Sequence, residues 1–428
     1  MKKQMENKYN QNHPLPWREG IKGRGKNPRS PSPYPSPVKG RGSSDRWGFL
    51  TPLHKRLFGV LFLGILSLSL VTCARTPRKG IFSEIDPGFC MNCHQQVTPG
   101  LFQSWVESKH AKKGVHCMTC HIDHQAASEQ KSMVFPEKCG ECHKKELAEF
   151  RQSRHSIGFE RMRIQGEYLS IPQEIRAAFC ERCHIIEKRC NSCHTSHKFS
   201  LKEARDPDAC GSCHLGPDHP HKEMYETSLH GTIYKVTQDP DRAPRCVTCH
   251  MPKGTHNSSF GIARGPVGTG FEVVDLKEVP ISKDEQERRR EEMVSVCTGC
   301  HSKRFSREQL ENADQVKEEG FKLQEKGKEP IREIEKGGLL YPAIGERLPH
   351  PTEGRTLVLA DPQLYVGTSH IERLFFTMFK FHNIRVWKSG YHFSPAYTHG
   401  YGWAEMQLDL IDIKEEAEKL RELFKKGK

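Results

Sequence analysis

The chain has 428 residues, a formal net charge of +13 and only 35% hydrophobic residues, below the roughly 45–50% apolar content usual in globular domains. With no short repeat period and one long apolar run, a collagenous, coiled-coil or multi-span membrane protein is excluded. So little apolar protein makes a thin core for this length, and the 17 Cys and 24 His are the residues to examine for what fills it.

Residues 1–56 hold 13 Lys or Arg against 3 Asp or Glu, a net of +10, so the rest of the chain carries only +3. Residues 1–46 are rich in Pro, Gly, Arg and Ser, as in Pro31-Ser32-Pro33-Tyr34-Pro35-Ser36-Pro37. They read as a disordered leader or as a start placed too far upstream. They lack the interleaved aromatics of a nucleic-acid arm, and no nucleic-acid partner is expected.

Residues 47–73 read as an export signal. His54-Lys55-Arg56 precede fifteen uncharged residues, 57–71, too short to span a bilayer comfortably but suited to the core of a secretory signal. Leu70-Val71-Thr72-Cys73 resembles a lipoprotein cleavage box with Cys73 as the lipidated residue. Thr72 departs from the small residue such boxes place before the Cys, so an uncleaved signal anchor is the alternative. Either way the remainder is exported, to the periplasm or the outer face of the cytoplasmic membrane, and attached through Cys73 or the anchor.

The other 16 Cys form eight copies of Cys-x-x-Cys-His. They are Cys90, Cys93 and His94; Cys117, Cys120 and His121; Cys139, Cys142 and His143; Cys180, Cys183 and His184; Cys190, Cys193 and His194; Cys210, Cys213 and His214; Cys246, Cys249 and His250; and Cys297, Cys300 and His301. This is the attachment signature of c-type haem: two thiols add across the vinyl groups and the adjacent His ligates iron. Zinc usually pairs two Cys-x-x-Cys elements without a His after each. A disulfide framework has no need of that spacing, and thioredoxin-like motifs come singly. Eight haem c groups are therefore expected within residues 74–305. At that density the protein wraps its cofactors, and the fold class is mainly α, a multihaem cytochrome c fold.

Haem iron used for electron transfer is normally six-coordinate, so each needs a distal ligand. Fourteen His beyond residue 73 lie outside the motifs. An aromatic-x-x-Ser-x-His pattern recurs at Trp105-Ser108-His110, Phe150-Ser153-His155 and Tyr225-Ser228-His230, with the aromatic packing one turn away and the Ser orienting the ring. His124 and His197 follow motif histidines by three residues, and His256 and His370 complete a set of seven candidates. Seven ligands for eight irons leave one iron open, unless His382, His392 or His399 fills the place.

Residues 306–428 read as a C-terminal helical region. A charged stretch over 306–336 suits a solvated helix, and 406–423 suits an amphipathic one with Leu408, Ile411, Ala417, Leu420 and Leu423 on its apolar face. Residues 265–270 are Gly-rich but lack the setting of a nucleotide loop and read as linker.

The run Cys190-Asn191-Ser192-Cys193-His194-Thr195-Ser196-His197, with Asp208-Ala209-Cys210-Gly211-Ser212-Cys213-His214, Gly216-Pro217-Asp218-His219-Pro220 and Ser228-Leu229-His230-Gly231, resembles the octahaem hydroxylamine oxidoreductase family. So does Tyr391-His392-Phe393-Ser394-Pro395-Ala396-Tyr397-Thr398-His399-Gly400-Tyr401. The resemblance covers about residues 85–428. It implies that the haem on Cys180, Cys183 and His184 is open and catalytic, with Asp218 and His219 beside it. It implies that Tyr397, or failing it Tyr401 or Tyr391, reaches the catalytic haem of a neighbouring subunit and cross-links to it in oxidative members; members lacking the link look like nitrite or hydroxylamine reductases. It further implies a homo-oligomer, a trimer, taking a small nitrogen substrate such as hydroxylamine and passing electrons along the haem chain to a redox partner, a cytochrome or quinone-linked protein. The competing class is a pure electron-transfer cytochrome with every iron bound by two His.

Overall fold

The computed structural model describes residues 87–121, 133–163, 171–262, 270–340 and 368–426. The leader, the export signal with Cys73, the candidate ligand His124 and residues 265–269 lie outside them. Helices account for nearly all the regular structure, as the sequence leads one to expect.

Residues 87–262 contain no described helix longer than the eleven residues of Pro87–Val97. Proline opens several of them, at Pro99, Pro136 and Pro207, where its missing N–H costs nothing. Most motifs are a single turn in which the motif His donates its backbone N–H to the carbonyl of the first Cys: 2.9 Å at Cys117, Cys139, Cys210 and Cys297, and 3.2 Å at Cys190. One turn puts both sulfurs and the imidazole on one side of the chain. The apolar cluster described here is small, Tyr225, Tyr234 and Ala243 with Ile233 against them.

The recurring Ser of the three ligand-bearing segments is buried each time. Its role differs from the expected ring contact. Ser108 Oγ accepts from Ala111 N at 3.0 Å and Ser228 Oγ from Gly231 N at 3.1 Å, so each caps the helix that begins there. These two serines fix helix starts, and the helices carry His110 and His230; Ser153 makes no capping bond.

A hairpin of β1 (Phe271–Val274) and β2 (Lys277–Pro280) follows, paired from Phe271↔Pro280 to Val274↔Lys277. Asp275 and Leu276 both take positive φ, 48° and 58°, the geometry of a two-residue type I′ turn. Glu278 on β2 bonds both Arg154 at 2.9 Å and Arg161 at 2.7 Å, tying the hairpin to the preceding helices.

From there the helices lengthen: α1 (Lys283–Cys297), α2 (Lys303–Lys336), α3 (His370–Thr377), α4 (Ile384–His392) and α5 (Glu405–Lys426). A π-helical turn, Met378–Asn383, joins α3 to α4, and another, Ala396–Ala404, leads into α5. The buried face of α2 repeats every seven residues through Ala313, Gly320, Gly327 and Ile334. The glycines admit close neighbours: a Cβ at Gly320 would meet Asn383 Oδ1 at 2.5 Å, and one at Gly327 would meet Met378 Sδ at 2.7 Å. Leu323, Ile331, Ile371, Phe375, Val386, Met406, Ile413 and Leu420 fill the core between these helices. On α5 the buried stripe is Met406, Leu410, Ile413, Ala417 and Leu420. Of the expected apolar face, Leu408, Ile411 and Leu423 are instead exposed, because helical spacing from Ile413 selects 406, 410, 417 and 420. No described helix is long and apolar enough to cross a membrane.

Truncating Ile331, wholly buried in this core, to Ala is expected to lower the stability of the C-terminal bundle by about 2–5 kcal/mol. Leu423→Ala, on the exposed face, is expected to cost about 0.5 kcal/mol or less. Denaturant titrations of the haem-loaded variants followed by circular dichroism check both.

Candidate haem and substrate sites

Two imidazoles sharing one metal, with metal–nitrogen bonds of about 2 Å, place their ring centres about 6 Å apart. Six motif histidines face a second histidine at that distance. His121 lies 6.0 Å from His197, His143 6.0 Å from His110 and His194 6.2 Å from His256. His214 lies 6.0 Å from His155, His250 6.3 Å from His392 and His301 6.0 Å from His230. The residues present thus fit covalently attached haem: paired thiols on a turn, an imidazole beside them and a second imidazole opposite. Among the described residues no Cys is in a disulfide.

Hydrogen bonds to Nδ1 orient several of these rings and leave Nε2 to face the partner. His392 Nδ1 donates to the Lys388 carbonyl at 2.7 Å, and His155 Nδ1 meets Ser258 Oγ at 3.1 Å. His214 Nδ1 lies 3.0 Å from His221 Nδ1. Burial pushes His214 down to about 3 and His250 down to about 4, so both are neutral, the form that binds metal. Backbone strain marks two positions. His197 sits at φ 70°, and Phe393, at φ 55°, ends α4 so that His392 points at His250 while the Phe393 ring meets His230 edge-on at 6.1 Å.

Five of the seven expected distal histidines, His110, His155, His197, His230 and His256, therefore lie opposite motif histidines. His124 falls outside the described residues. His370 is exposed at the first residue of α3, and among the described residues no motif ring contacts it. His392 instead takes the distal place expected of His370. Among the described residues neither His382 nor His399 is paired with a motif histidine: the His382 ring is held by Asp409, Nδ1 to Oδ2 at 2.6 Å, and His399 is exposed on the C-terminal π turn.

His184 has different company. It interacts electrostatically with His219, Asp218 and Lys380, and burial followed by the His219 charge lowers its pKa. Asp218 Oδ1 lies 2.5 Å from His219 Nδ1, while His219 Nε2 is 3.0 Å from the Cys213 carbonyl. Both partners are acceptors, so both bonds form together only when each ring nitrogen carries a proton. Burial pushes the Asp218 carboxyl up, but the hydrogen bond and charge of His219 and the charge of Lys380 outweigh it and hold it at about 2. Lys380 Nζ lies 3.6 Å from Asp218 Oδ2. Lys388 stands in the same field, its pKa lowered to about 8 by burial against the attraction of Asp218.

Lys380, Lys388 and His221 do not stand out in the sequence reading above. A signal for Lys380 exists nonetheless: it is a lone cation in Phe375-Phe376-Thr377-Met378-Phe379-Lys380-Phe381, where helix burial leaves a charge no reason except a partner. The three tyrosines lie elsewhere in this chain. Tyr391 Oη bonds Asp314, and Tyr397 packs 5.0 Å from the exposed Tyr401.

The motifs also touch one another. The sulfurs of Cys139 and Cys190, of Cys183 and Cys213, and of Cys210 and Cys246 lie close enough to shift one another's pKa, so the third motif abuts the fifth, the fourth the sixth, and the sixth the seventh.

Comparison with known proteins agrees with this arrangement. Over 79% of its length the chain is 26% identical to a probable nitrite reductase-hydroxylamine oxidoreductase fusion protein of Kuenenia stuttgartiensis, and it spans about half, 52%, of that longer relative. Its fold matches a chain of a reducing HAO-like protein complex from the same organism with a TM-score of 0.67 at 25% identity, covering 79% of this chain and 85% of the other. A hypothetical multiheme protein matches at a TM-score of 0.61 and 19% identity over 80% of this chain and 96% of its own, a likeness of fold alone. The family described as "Seven times multi-haem cytochrome CxxCH" matches residues 113–347, which hold seven of the eight motifs, from Cys117 to His301. The chain belongs to that multihaem cytochrome family.

Proposed function

We propose that this multihaem cytochrome carries eight haems and is an oxidoreductase acting on a small nitrogen compound at the haem on Cys180, Cys183 and His184. The observation that supports this reading is the contrast between six motif histidines with a second imidazole about 6 Å away and His184, for which no such ring is found among the described residues and whose electrostatic neighbours are His219, Asp218 and Lys380. His94 is the remaining motif histidine, its Nδ1 held at 2.9 Å by Thr98 Oγ1, and His124 is its proposed distal ligand. A pure electron-transfer cytochrome needs an imidazole ring about 6 Å from His184, and none stands there among the described residues; His219, Asp218 and Lys380 act on it electrostatically instead.

Bound haem would supply a Lewis-acidic iron that exchanges electrons. The chain's own residues handle protons. Asp218 and the Cys213 carbonyl fix the His219 ring, an imidazole that can give a proton to a substrate atom or recover one from it. Haems held at the abutting motifs would give electrons a route from the fourth to the sixth and onward to the seventh, for exchange with a redox partner of the exported protein. Attachment at Cys73 and assembly into a homo-oligomer that brings Tyr397 to a neighbour are part of the same proposal. Hydroxylamine oxidation sheds protons and reduction of a nitrogen oxide consumes them; the same pair serves either direction.

Replacing Asp218 by Asn removes the charge that holds His219, and turnover of hydroxylamine or nitrite is expected to fall by about 100-fold or more, with the low-spin haem spectrum unchanged. Turnover within about threefold of wild type would remove the pair from the mechanism, since general acid–base groups contribute about 100-fold or more. His392→Ala is expected to give one additional high-spin haem by electron paramagnetic resonance, and His370→Ala none. The opposite result would restore His370 as the ligand.

A further inference from the structure

We propose that Lys380 makes the His184 site selective for an anionic nitrogen oxide over a neutral amine, an inference that rests on the open-haem reading and names its substrate class. Lys380 lies within an otherwise apolar and aromatic stretch, its side chain only 16% exposed, and it is paired at 3.6 Å with one carboxylate, Asp218. That carboxylate is already committed to His219 at 2.5 Å. Lys380 Nζ and the His219 ring thus share this one carboxylate, and Lys388 lies within its electrostatic reach. Arg154 and Arg161 add to the field at Lys388, though both are shared with Glu278.

A buried ammonium that shares its one carboxylate is costly unless a second anion joins it. Nitrite is an anion at neutral pH, and hydroxylamine is neutral. The former gains more from this ammonium, because its oxygens carry the negative charge opposite Nζ. The backbone supports the placement: Lys380 is on the π-helical turn Met378–Asn383, a device found mostly at functional sites, which shifts the phase of the helix between α3 and α4. The carboxylates of a bound haem are the competing partner for the ammonium. A lysine serving them would support haem retention and every ligand alike.

The test is equilibrium binding of nitrite and of hydroxylamine to the haem-loaded full-length protein, read from the optical and electron paramagnetic resonance spectra, in wild type, Lys380→Met and Lys380→Arg. The expected result is a nitrite Kd raised about tenfold or more in Lys380→Met, the scale of one charge-assisted hydrogen bond lost. Hydroxylamine binding should stay within about twofold, well inside the effect of one such bond. Lys380→Arg should recover most of the nitrite affinity. Equal weakening of both ligands, or loss of haem from the fourth motif by mass spectrometry, would overturn the proposal in favour of a haem-carboxylate partner. Unchanged nitrite affinity would overturn it outright. A wild type that binds neither ligand would remove the open-haem reading itself, which separates the two failures.

Discussion

Rings that share a metal through Nε2 are held about 6 Å apart, and here that spacing is met by histidines 33 to 142 residues apart in the chain. Each such pair acts as a long-range crosslink in the fold. The local half is cheap to specify, because one helical turn suffices to present two thiols and an imidazole. The distant half is not, and much of the remaining architecture serves it. Serine caps start the helices that carry His110 and His230, positive φ at His197 and Phe393 redirects the chain, and α4 ends where His392 must meet His250.

The same constraint explains why the chain is built in two manners. Residues 87–262 have short helices and a small apolar cluster, since porphyrin surface would replace side-chain surface there. Residues from 303 onward hold the long helices and the contiguous aliphatic core. The C-terminal bundle is more than a cap on that arrangement. It supplies His392 opposite His250 and Lys380 beside Asp218, so its packing sets the position of groups in both places. The glycines at 320 and 327 illustrate the coupling, because the residues pressed against them, Asn383 and Met378, bound the π turn on which Lys380 sits.

What can be read from the sequence divides along the same line as local and distant. The eight motifs, the helical class and the Asp218–His219 pair are short-range patterns, and the charge of that pair reaches His184. Ser108 and Ser228 cap helices where a ring contact is expected, because an N-cap and a ring-orienting hydroxyl have the same spacing in sequence. His370 and His392 cannot be ranked without knowing which end of α3 and α4 meets the motifs; a histidine at a helix start and one at a helix end look equally suitable on paper. The buried face of α5 differs from expectation for a related reason. Leu408 and Ile411 are as apolar as Leu410 and Ile413, and only the neighbours on α2 and α3 decide which pair is covered.

Three π-helical segments occur among the described helices: Arg176–Cys180, Met378–Asn383 and Ala396–Ala404. The first runs into the first Cys of the fourth motif, the second carries Lys380, and the third carries Tyr397, His399 and Tyr401. A π turn inserts an extra residue into a helix and is rare because its hydrogen-bond geometry is poorer, so it persists where a side chain must be displaced from its helical phase. All three fall on segments tied to the open-haem proposal, whereas the pairs His143–His110, His194–His256 and His301–His230 are reached by ordinary turns and helices. The irregular backbone thus concentrates on the parts that would meet substrate or a neighbouring copy. Between α3 and α4 its consequence is specific: one added residue sets the phase in which Lys380 meets Asp218 while His392, a dozen residues on, still meets His250.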